Sequence, residues 1–156
     1  MNKSEVKRSF ITKITKDFSD SSWKDIYVAG SYGDNVTYPA IIVSIDSPYR
    51  EIIGENGGLI SYDMIEDKKT VMFLYQVFVG ISVYSHILEE SEDIADKVIE
   101  YFIEGDNPTS NTISYEHLNR NIIPGPTKLV EGQKGKEKLW LTPITITITV
   151  KEIKIF

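Results

Sequence analysis

The feature that most constrains this chain is a strict alternation near the end of the sequence. Ile144, Ile146, Ile148 and Val150 are separated by Thr145, Thr147 and Thr149. Successive side chains of a strand point to opposite sides, so this segment reads as a half-buried strand within Leu139–Lys154. A second alternation places Val77, Val79, Ile81 and Val83 on one face of a run from Val71 to Ser85. Such a run spans about 50 Å at roughly 3.3 Å per residue, long for a compact domain. A projecting hairpin arm or a bend near Gly80 would accommodate it.

A sheet with one apolar face needs a cover. Val6, Phe10, Ile11, Ile14 and Phe18 share one face of a first helix, with Ser4 as its N-cap and Ser19–Ser22 as its break. Ile94, Ala95, Val98, Ile99 and Phe102 form the stripe of a second helix. Ser91 is its expected N-cap, Glu92 and Asp93 suit the positive end of its dipole, and Gly105-Asp106-Asn107-Pro108 stops it. Further strands are expected at Asp25–Ala29 and, after Pro39, at Ala40–Ile45, with weaker ones at Thr112–Tyr115 and Asn121–Ile123. Residues 46–69 read as a polar excursion, and Glu131–Lys138 as a hairpin tip or loop. The order predicts an α+β fold: a mixed, mostly antiparallel sheet, two main helices on one face, and room for a projecting β-hairpin. One domain over residues 1–156 is expected from the length.

Composition narrows the chemistry. With 41% hydrophobic and 26% charged residues the chain is an ordinary globular one, which excludes wholesale disorder. The absence of cysteine removes disulfides, thiolate metal sites and cysteine nucleophiles. His86 and His117 have no second histidine at helical metal spacing. Glu89, Glu90, Glu92 and Asp93 lack the glycine-centred pattern of a calcium loop and fit a helix start better. Gly54–Gly58 is not followed by the lysine of a phosphate loop, and no nucleophile elbow is present. The spacing of Asp46, Glu51 and Asp63 gives no sign of a catalytic cleft. The expectation is a non-enzyme without cofactor or metal.

Thr70–Leu88 carries no Asp, Glu, Lys or Arg, yet its valines and aromatics favour a strand over a membrane helix. The polar start lacks the apolar centre of a secretion signal. A soluble product is expected, inside the cell or carried out in a particle. Net charge is −6, but it is uneven: residues 89–106 sum to −7 and residues 107–156 to +3. Such a distribution suits a subunit that meets copies of itself. Trp23 and Trp140 read as core residues or interface anchors. Tyr27, Tyr32, Tyr38, Tyr49 and Tyr62 favour a contact surface.

Three segments carry a resemblance: Tyr38-Pro39-Ala40-Ile41-Ile42-Val43, the strand Phe78–Ser85, and the helix Ser91–Phe102 with its Ala95-Asp96 pair. In order and type they resemble the tail terminator or tail completion (neck) proteins of long-tailed bacteriophages. The long segments 46–69 and 106–138 depart from the simplest pattern of that family. The resemblance implies an α+β virion protein that caps the head-proximal end of the tail tube as a hexameric ring. It would be made in the bacterial cytoplasm, end tail polymerisation and offer a docking face to the head. Its partners would be copies of itself, the tail tube protein and a head-completion or neck protein, with DNA passing unread through the lumen. Alternatives are another connector, neck or tail-tube component, or a cellular α+β module that binds a small ligand or peptide. Within a ring, Glu89, Glu90, Glu92 and Asp93 are expected to face Lys134, Lys136 and Lys138 of a neighbour.

Overall fold

The computed structural model describes residues 3–19, 21–33, 35–53, 59–104, 115–132 and 137–156. Of these, residues 46–53, 59–61, 72–75, 104, 115–120 and 149–154 are described by backbone alone. Elements run α1 (Lys3–Phe18), β1 (Tyr27–Ala29), β2 (Ala40–Ile53), β3 (Leu59–Asp63), β4 (Lys68–Ser85), α2 (Leu88–Glu104), β5 (Tyr115–Pro124), β6 (Lys128–Glu131) and β7 (Lys138–Ile155).

The strands form one sheet in the order β1-β2-β4-β7-β5, with β3 beside β4 and β6 beside β7. Among the described residues β1 and β2 pair in parallel and the other pairings are antiparallel. This is the expected mixed α+β architecture. Val77, Val79, Ile81 and Val83 meet Ile148, Ile146, Ile144 and Thr142 across the β4–β7 ladder. The four β4 residues are fully buried and the three isoleucines 1% exposed. Both alternations therefore face the same core.

α1 and α2 lie over that core. Phe10 stacks on Phe102 with ring centroids 5.3 Å apart, and Phe18 meets Tyr101 edge-on at 5.1 Å. Val6, Ile14, Ile94, Ala95 and Val98 complete the packed layer. Trp23 packs partly buried against it, edge-on to Phe18. α1 ends where its serines satisfy its last carbonyls: Ser19 Oγ donates to Lys16 O at 2.7 Å and Ser21 Oγ to Phe18 O at 2.9 Å. Hydroxyls so placed complete backbone acceptors that the helix leaves unpaired.

Five expectations change. Ser4 does not cap α1, because the helix already includes Lys3 ahead of it. Residues 46–69 are not one excursion. β2 continues to Ile53, held by pairs from Arg50↔Gln76 to Ile53↔Phe73, and β3 follows it. The turn residues Ser47-Pro48 sit at a register shift between Asp46 and Arg50, where a bulge accommodates a proline without a ladder donor. No bulge occurs at Gly80 on the β7 side, since the β4–β7 register runs unbroken from Thr70↔Ile155 to Ser85↔Trp140. β4 instead continues past the helix-covered part of the core, with β3 alongside it. Ser91 does not cap α2. It lies inside the helix, and Ser85 takes the capping role by accepting the Ile87 N–H at 3.1 Å and donating to Glu90 Oε1 at 2.7 Å. Finally, β6 adds a strand to the segment after Pro126, where the sequence pattern shows none. Of the weaker strands, Asn121–Ile123 lies within β5, whereas residues 112–114 are outside the described residues.

Candidate interaction surfaces

The buried polar groups come first, because they separate structure from surface. Ser91 Oγ lies 3.0 Å from Val83 O and 2.8 Å from Thr142 Oγ1, which is 2.9 Å from Thr127 Oγ1. One donor direction satisfies the series: Thr127 donates to Thr142, Thr142 to Ser91, and Ser91 to the carbonyl. This ladder ties α2, β4, β7 and the β5–β6 connection together.

Glu89, Glu92, Asp93 and Asp96 are exposed on α2. The first three lie near the helix start, where the dipole favours negative charge. Glu90 is half-buried and engaged with Ser85. Lys138 is exposed at the start of β7, while Lys134 and Lys136 lie outside the described residues. The β6–β7 hairpin closes through the Gly132 N–H, which donates to Glu137 O at 2.7 Å. Glu137 Oε1 in turn lies 3.2 Å from His86 Nε2. The hairpin bearing Lys138 therefore sits beside the start of α2 in the same subunit.

His86 also meets Tyr38 edge-on at 4.9 Å. The Tyr38 hydroxyl hydrogen-bonds that of Tyr32, whose ring packs edge-on against Tyr84 at 5.2 Å. Tyr32 and Tyr38 thus form a half-buried aromatic corner with β4. Burial pushes the Tyr84 hydroxyl pKa up from its ordinary value, and a hydrogen bond with Ser82 partly opposes this. Tyr27 belongs to β1 and Tyr62 to β3, while the side chain of Tyr49 is outside the described residues. Trp140 is half-buried opposite Ser85, and the side chain of His117 is outside the described residues.

The second face of the sheet carries no helix among the described residues. Pairing places Phe78 and Thr147 side by side with Asn121, and Ser44, Gly80 and Thr145 in line with Ile123. Phe78, Thr145 and Thr147 are half-buried, and Ile123 is 55% exposed. The sequence signal for this face was already in the threonines alternating with isoleucine. The weak strand signal at Asn121–Ile123 carries no alternation, so the sequence does not place Ile123 on this face.

A further apolar group lies at the end of the β3–β4 hairpin: Tyr62, Met64 and Ile65 are 46%, 82% and 96% exposed. Sequence reasoning missed it because the acidic turn read as part of a polar excursion. The placement of Tyr62-Asp63 and Lys68-Lys69 on either side of the four residues Met64–Asp67 is the available signal for a hairpin.

Among the described residues no three His, Asp or Glu side chains gather to hold a metal ion. Nor does any described helix have the length and apolarity to cross a membrane; the uncharged run from Thr70 lies mostly in β4. No protein-family model matches the chain, and a search of curated proteins gives no match.

Proposed function

We propose that this chain is a structural virion protein that caps the head-proximal end of a phage tail tube as a ring. In that role it ends tail polymerisation and forms the docking face for the head. The observation that carries the reading is the unlike pair of sheet faces: two helices bury one, and among the described residues no helix covers the Thr-rich part of the other around Phe78, Thr145 and Thr147. The α+β architecture is the one the resemblance calls for. In this reading the protein is made in the bacterial cytoplasm and ends in the virion, with the tail tube and neck proteins as partners.

Subunit contact in the ring is proposed between the exposed acids Glu89, Glu92 and Asp93 and the lysines 134, 136 and 138 of a neighbour, in competition with the Lys138 hairpin of the same subunit, which already lies beside the start of α2. Glu90, bonded to Ser85 within its own subunit, serves to fix the start of α2 instead. The combined variant Lys134→Glu, Lys136→Glu, Lys138→Glu is expected to weaken assembly, and unchanged assembly would remove this pairing. The function itself is tested by electron microscopy of tails assembled with the gold-labelled protein. Label confined to one end, the end that joins heads, is the expected result. Label along the tube or absent from tails rejects the reading.

A further inference from the structure

We draw no further inference here: the strongest candidate, the exposed apolar patch of Tyr62, Met64 and Ile65 at the end of the β3–β4 hairpin, with Ile155 and Phe156 beside it, carries nothing because nothing in the structure shows what covers it.

Discussion

Ile146 and Thr147 are neighbours in sequence and belong to different worlds. Ile146 is 1% exposed beneath two helices, whereas Thr147 sits half-buried on a face that no described helix covers. The same contrast holds for Val79 and Phe78 one strand away. The comparison teaches that a single period of two encodes both the core and a surface available for contact. The covered side is filled by aliphatic and aromatic groups packed on α1 and α2. The open side uses β-forming threonines, which keep the strand extended without demanding burial.

The largest effect comes from breaking the covered side. Phe102→Ala removes a buried ring stacked on Phe10, and is expected to cost about 3–5 kcal/mol, read as a fall in the urea midpoint. A smaller loss comes from the hydroxyl ladder that fastens α2 to the sheet. Ser91→Ala leaves Thr142 and the Val83 carbonyl short of a partner, and should cost about 1–3 kcal/mol. A double-mutant cycle with Thr142→Val would show coupling between the two sites; additive losses would mean that the ladder acts as separate bonds. The open side sharpens the contrast from below. Thr147→Lys should change folding stability by about 0.5 kcal/mol or less, far below any substitution of its neighbour Ile146 that opens a cavity.

The smallest effect is one of pH. The Tyr84 hydroxyl, with its pKa raised by burial, stays protonated in the folded chain when it would already ionise in the unfolded chain. The unfolded state therefore binds fewer protons, and stability falls as pH rises. This contribution is fully present below the ordinary tyrosine value of 10.0 and is lost as pH climbs through the raised folded value. Tyr84→Phe should flatten the alkaline limb of a denaturation-against-pH curve; an unchanged limb would assign the loss elsewhere.

Much of the fold was legible because burial follows period. The stripes Val6–Phe18 and Ile94–Phe102 and the alternations at 77–83 and 144–148 all settled on the core. What was not legible depended on partners distant in sequence. β2 extends beyond Ile45 because β4 is long enough to pair with it, a fact that Ser47-Pro48 obscured locally. Ser91 has the composition of a cap and lies three residues inside a helix, because Ser85 caps the start and Thr142 approaches from a strand far along the chain. For the interaction surfaces, the acidic side of α2 was visible from charge alone. That Glu90 turns to Ser85, and that the Lys138 hairpin sits beside His86 through Glu137, required the tertiary structure.

The proposed role makes this chain a subunit whose exposed surfaces meet copies of itself. Native mass by light scattering after size exclusion, over a wide concentration range, tests it most directly. The account predicts a discrete species near six times the chain mass of 17.7 kDa. A monomer at every concentration would contradict it.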